Sequence, residues 1–232
     1  MQIRKIQFTP HVNPYAFGSC LVEYGNTKVM VTVSCKDEVP PFLKDKKIGW
    51  LTAEYCMLPM ATHSRGKRER EGASGRTKEI ERFIGRSLRN CVDRTLLGER
   101  TLTIDCDVLL ADGGTRVASI SGAYVALYFA VEKLKKDKLI AVDSKVLKMM
   151  ISAISVGIDS QGNYLVDLDY AQDSKANVDM NVVMNEKGEF LEFLATTEGQ
   201  KPMTLDQIQG LLKHAKLGIE KIIELQKEVI GT

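Results

Sequence analysis

Residues 103–126 read TIDCDVLLADGGTRVASISGAYVA. The run Thr103 to Leu110 has strand character, Gly113-Gly114 makes a turn, and the small residues from Ala118 to Ala126 suit a helix lying close on a sheet. Glycines let the backbone approach a ligand with no β-carbon between them. A helix start offers unpaired N–H groups and the positive end of the helix dipole, both of which favour an anion. Arg116 adds a planar fork of donors that matches a phosphate. A cation at this end of a helix opposes the dipole, and a bound anion removes the conflict. Gly114, Thr115 and Arg116 therefore read as a phosphate seat. The plainer alternative is Thr115 as a helix cap with Arg116 as surface charge.

Working outward toward the N-terminus, Ile80, Phe83, Ile84, Leu88, Cys91, Val92 and Leu96 keep helical spacing on one face, predicting a helix over 77–97 that stops at Gly98. Arg76 follows Gly75 at its start, the same glycine-arginine grammar as the first seat. Alone, Arg76 reads as a surface residue; paired with Arg116 it would clamp one phosphate. Before this helix, residues 63–75 form a polar, glycine-containing stretch, expected to be a mobile loop. Arg65, Lys67, Arg68 and Arg70 make it basic, and such loops hold polyanions. From His63 to Arg94 ten Arg or Lys stand against five acids, a balance of +5. Earlier still, residues 3–8 alternate as a strand, residues 18–36 read as a hairpin turning at Gly25-Asn26, and 37–62 is extended, broken at Pro40-Pro41.

Toward the C-terminus the pattern repeats. Residues 150–158 and 163–170 predict a hairpin across Ser160-Gln161-Gly162, and 179–184 with 189–194 predict another. A final helix spans 205–229, with Thr204 and Gln207 spaced as a capping box. The segment 151–200 has nine acids and two bases, a balance of −7. Asp173, at the end of one strand, and Asp179, at the start of the next, could share one sheet edge and hold a hard cation through oxygen. Turn aspartates are the competing reading. Asp167 and Asp169 alternate with leucines and read as a solvent face.

The 232 residues, 44% hydrophobic and 27% charged with a net charge of +2, suit one α+β domain over 1–232 made of two similar β/α halves. No apolar run near membrane-spanning length is evident, so neither a transmembrane helix nor a membrane partner is expected. The N-terminus lacks the apolar region of a signal peptide. Five scattered cysteines without a CxxC point to reduced core thiols and a cytoplasmic setting. Three distant histidines speak against a histidine metal site or a Ser-His-Asp arrangement. There is neither a P-loop nor a GxGxxG.

In this order, the strings GNTKVMVTVS (25–34), VPPFLK (39–44), GWLTAEYCMLP (49–59), SGRTKEIERFIGRSLR (74–89), LGERTLTIDCDVLLADGGTRVASISGA (97–123), ISAISVGID (151–159), YLVDLDYAQDS (164–174) and DMNVVM (179–184) resemble the ribonuclease PH family. The resemblance implies the α+β unit of that family and of exosome ring subunits, and a homohexamer arranged as a trimer of dimers. It implies a phosphate-dependent 3′–5′ exoribonuclease, a nucleotidyltransferase, that trims transfer-RNA precursors at a single-stranded 3′ end. Inorganic phosphate would bind at Arg76, Gly114, Thr115 and Arg116. Asp173 and Asp179 would be the catalytic carboxylates and the ligands of Mg²⁺ (or Mn²⁺). The chain departs from the family pattern in lacking a basic N-terminal lead with a Gly-Arg, in Met60 where an arginine is common, in a slightly shorter basic loop, and in Leu194-Ala195 where a Gln-Gly pair is common. A non-catalytic RNA-binding ring subunit and a hydrolytic 3′ ribonuclease stay open as alternatives.

Overall fold

The computed structural model describes residues 3–68, 72–197 and 202–231. The first half builds a sheet from β1 (Ile6–Pro10), β2 (Gly18–Tyr24), β3 (Thr27–Lys36), β4 (Trp50–Met57) and β5 (Thr101–Leu110). Its strand order is β1-β2-β3-β5-β4, with β4 parallel to β5 and the other pairs antiparallel. The second half builds a sheet of order β7-β6-β8-β9 from β6 (Ile151–Ile158), β7 (Tyr164–Val166), β8 (Val178–Asn185) and β9 (Phe190–Thr197). Among the described residues four α-helices complete the fold: α1 (Gly75–Cys91), α2 (Thr115–Lys136), α3 (Tyr170–Asp173) and α4 (Leu205–Ile230).

Alternation explains the first sheet. Leu102, Ile104, Cys106 and Val108 of β5 are buried on the helix side while the residues between them are more exposed. In contrast β6 is buried at every position, as a strand covered on both faces must be. Two helices cover it: α4, and α2, which also packs on β2 and β3 of the other sheet. A helix apolar all round belongs in a core, and the small residues of its start permit close approach: a β-carbon on Gly122 would lie 2.4 Å from Cγ1 of Val22. By length and composition α2 could cross a membrane, contrary to the expectation from the sequence, but 78% of its most apolar window is buried inside the protein. The α+β fold of two strand-then-helix halves is as expected. Cys20, Cys35, Cys91 and Cys106 are free thiols, and burial pushes those of Cys20 and Cys91 up to about 12.

Three boundaries differ from expectation. The helix predicted over 77–97 ends at Cys91, because Val92 bridges to Leu147 and Asp93 accepts from the Thr95 N–H to open a short 3-10 turn at Arg94–Leu96. Gly98, with φ 65°, instead turns the chain into β5. The strand expected over 163–170 ends at Val166, since Asp167 adopts φ 58° and leaves the ladder. Asp167 is buried rather than on a solvent face. Asp173 closes the one-turn helix α3 rather than a strand.

Candidate active site

A cleft of about 540 Å³ opens between the halves, and it gathers the arginines, the glycine turn and the two aspartates that the sequence singled out. The first half supplies Arg76, Gly113, Gly114, Thr115 and Arg116; the second supplies Asp173 and Asp179.

On the first side, α1 starts with Ser74 as its cap, accepting from the Thr77 N–H, so that Arg76 stands in the first turn. α2 starts differently. Its cap is Gly114, in left-handed conformation at φ 68° and without a side-chain cap bond. Among the described residues no side chain caps its first turn, which suits an anion there. Thr115 is not the cap: its hydroxyl oxygen accepts from the Tyr55 hydroxyl at 2.9 Å. Burial raises the Tyr55 phenol, while its bond to Thr115 and the nearby charges of Arg76 and Arg116 act in the opposite direction. Arg116 also has a partner that the sequence did not reveal, the Glu79 carboxylate at 3.2 Å. The conflict between Arg116 and the helix dipole is thus partly relieved by a carboxylate that itself lines the cleft.

The glycine pair is fitted to its surroundings. A β-carbon on Gly113 would meet the Leu168 carbonyl oxygen at 2.4 Å and the Tyr170 nitrogen at 2.8 Å. The N–H of Asp112, just before the pair, donates to Thr27 Oγ1 at 2.9 Å. The Asp112 side chain accepts from Asn26 Nδ2 at 3.0 Å and from the Tyr170 N–H at 3.3 Å. The Asp112 carbonyl accepts from Arg4 Nη1 at 2.6 Å.

On the second side, α3 begins with a capping box in which Asp169 and Gln172 satisfy each other's backbone groups. This small helix carries Tyr170 and Asp173 to the cleft, and β8 carries Asp179 and Asn181. Asn181 Nδ2 donates to Asp179 Oδ2 at 3.3 Å. Among the described residues no three His, Cys, Asp or Glu side chains cluster as a full metal cage. Two carboxylates on one wall do suit Mg²⁺, which binds through one or two carboxylates plus substrate phosphates and keeps several waters.

The basic loop is only partly gathered. Lys67 lines a smaller hollow that adjoins the cleft through Arg76, Met57 and Thr62. Arg65 and Arg68 are exposed and line neither, and Arg70 lies outside the described residues. Sequence reasoning missed Glu79, Ser155, Tyr170, Ser174 and Asn181 as cleft residues. Only Tyr170 had a usable local signal, since Asp169 and Gln172 have capping-box spacing just around it. Of the departures from the family pattern, Leu194 falls in the cleft, while Met60 is largely exposed outside it.

The family model for the 3′ exoribonuclease family, domain 1, matches residues 2–131, and the one for domain 2 matches residues 149–218. The chain belongs to the ribonuclease PH family of 3′ exoribonucleases. Solved structures with the same fold include rice (Oryza sativa) Rrp46, with a TM-score of 0.79 and 16% identity over 99% of this chain and 96% of that one. The Archaeoglobus fulgidus exosome with RNA bound to its active site matches with a TM-score of 0.77 and 20% identity, over 96% of this chain and 88% of that one. Identities this low speak for the shared fold. The cleft of this family member lies at the junction of its two matched domains, with residues from each.

Proposed function

We propose that this chain is a phosphate-dependent 3′–5′ exoribonuclease acting on the 3′ ends of transfer-RNA precursors. The observation that carries the reading is the joint placement of Arg76, Arg116 and the carboxylates of Asp173 and Asp179 on one cleft. In the reaction, an oxygen of inorganic phosphate bonds to the terminal phosphorus of the RNA. The bond from that phosphorus to the 3′ oxygen of the preceding nucleotide breaks. The 3′ oxygen leaves as a hydroxyl, taking the proton that the attacking phosphate gives up. The products are RNA shorter by one residue and a nucleoside diphosphate.

Phosphate is already an anionic nucleophile, which accords with a cleft lined, among the described residues, by no histidine. The task of the protein is to hold two anions together. Arg76, Arg116 and the start of α2 would orient the attacking phosphate, converting a bimolecular encounter into a positioned one. Asp173 and Asp179 would hold Mg²⁺, which when bound neutralises charge on the scissile phosphate and the leaving oxygen. Lys67, next to Arg76, would lead the RNA backbone in, and Tyr170 offers an exposed ring at the cleft rim for a terminal base. Assembly into a ring, as a hexamer of three dimers, belongs to the same proposal.

The test is the product formed from a 3′-extended transfer RNA. Nucleoside diphosphates that appear only with added phosphate are expected. Monophosphates released without phosphate would assign the chain to hydrolysis. No product under either condition, with RNA still bound, would make it a non-catalytic ring subunit.

A further inference from the structure

Arg4 and Asp167 are 163 residues apart in sequence and form a three-bond pair. The Arg4 backbone N–H and Nε donate to Asp167 Oδ2 at 2.9 and 3.0 Å, and Nη2 donates to Oδ1 at 2.6 Å. The Asp167 side chain is fully buried and that of Arg4 is 16% exposed. The remaining arm, Nη1, donates to the Asp112 carbonyl at 2.6 Å. A β-carbon on Gly114 would stand 3.2 Å from Arg4 Nη2, so the guanidinium lies directly behind the glycine turn.

We propose that Arg4 is a positioning residue for the phosphate seat. One arm of its fork grips the glycine turn of the first half. The other grips Asp167, at the root of the segment that carries Tyr170 and Asp173. The clamp thereby sets the separation between the arginine side and the acidic side of the cleft. Three observations favour this over a plain stability role. A buried ion pair is seldom more stabilising than apolar residues of the same volume, so its use lies in geometry. Both of its contacts are on cleft-bearing segments, not on the sheet cores. Asp167 leaves its strand for a left-handed conformation at φ 58°, with its N–H donating to the Ser155 carbonyl at 2.7 Å, and Ser155 itself lines the cleft. Left-handed backbone at a residue other than glycine is costly and persists where the surroundings enforce it.

The proposal rests on the phosphorolysis reading for its kinetic consequence but not for its geometric one. The full chain is compared with Arg4→Met, Arg4→Lys and Asp167→Asn by KM for phosphate, KM for RNA, thermal midpoint, and amide hydrogen exchange over 111–115 and 168–173. Because misplacement of a reacting group by an ångström is worth large rate factors, phosphate KM should rise about tenfold in Arg4→Met with RNA KM little changed. Exchange should quicken in both segments. Arg4→Lys keeps the charge beside Asp167 but cannot span to Asp112, so it should recover the thermal midpoint and not the phosphate KM. A lower midpoint with unchanged phosphate KM and unchanged exchange would overturn the clamp, as would full recovery of KM by lysine. If the unmodified chain neither needs nor binds phosphate, phosphorolysis falls, and quickened exchange in both segments alone decides for the clamp while unaltered exchange decides against it.

Discussion

Arg116 and Glu79 share one corner of the cleft at 3.2 Å, with side chains 18% and 44% exposed. In a half-exposed pair of this kind the net attraction is small, on the order of 0.5–1 kcal/mol. Its significance lies in competition. In the proposed reaction a phosphate arriving at Arg116 would have to displace, or share the guanidinium with, a carboxylate that repels it. Glu79→Gln should therefore lower the phosphate KM by about two- to fivefold, the factor that such a pair energy represents. Arg116→Ala should do the reverse, raising phosphate KM by at least about tenfold while RNA still binds, since charge-assisted contacts to phosphate are the strong ones. Steady-state kinetics over a phosphate titration decides both. An unchanged KM in Glu79→Gln would mean that the carboxylate swings away on binding, and an unchanged KM in Arg116→Ala would remove that arginine from the seat.

At the level of elements, strands and helices with strong local periodicity were legible. The strand at Thr101–Leu110, the helix starting at Thr115 and the capped helix after Thr204 stand where their patterns put them. What was not legible depends on distant contacts. Val166 ends its strand because Asp167 is held by Arg4, and nothing near Asp167 in sequence announces that. Likewise Glu79 and Arg116 are brought together only when α1 packs beside α2. The candidate residues of the site were legible because glycine turns and their arginines carry local meaning, whereas the groups that support them do not. The glycine turn itself permits a comparison. Gly113 and Gly114 have φ of 76° and 68°, so alanine is strained at both. At Gly114 the new β-carbon would be only slightly tight, against side-chain atoms that need give by a few tenths of an ångström, Arg4 Nη2 at 3.2 Å and Val117 Cγ2 at 3.3 Å. At Gly113 it would meet backbone of the second half at 2.4–2.8 Å, which cannot yield without parting the cleft walls. Thermal unfolding should show Gly113→Ala losing distinctly more than the roughly 1–2 kcal/mol expected of a left-handed alanine, and Gly114→Ala staying near that value. Equal losses would mean that the two halves are not locked at this turn.

Across the whole molecule, the uneven charge of the sequence becomes spatial. The +5 segment 63–94 contributes Arg76 and Glu79 to the cleft, and the −7 segment 151–200 contributes Asp173 and Asp179. The two segments also meet through an Arg86–Glu192 ion pair between α1 and β9. The acidic wall repels RNA wherever no cation covers it, so the attraction that brings the polyanion to the cleft must come from the basic side. Arg65, Lys67 and Arg68 are exposed there, and Lys67 borders the hollow that leads to Arg76. Charges of this sort bind a strand by releasing its counterions, and each contact to single-stranded nucleic acid contributes about −0.7 to the slope of log affinity against log salt. Replacing Arg65, Lys67 and Arg68 together by alanine should flatten that slope by about 2 if all three touch phosphates. Phosphate KM should stay where it was, because the proposed seat of Arg76, Gly114 and Arg116 is untouched. Filter binding of a 3′-extended transfer RNA over a salt series measures the slope. A slope that does not change would move the RNA path off this loop and onto another face of the cleft, whereas a joint change in slope and phosphate KM would mean that the loop and the seat act as one site.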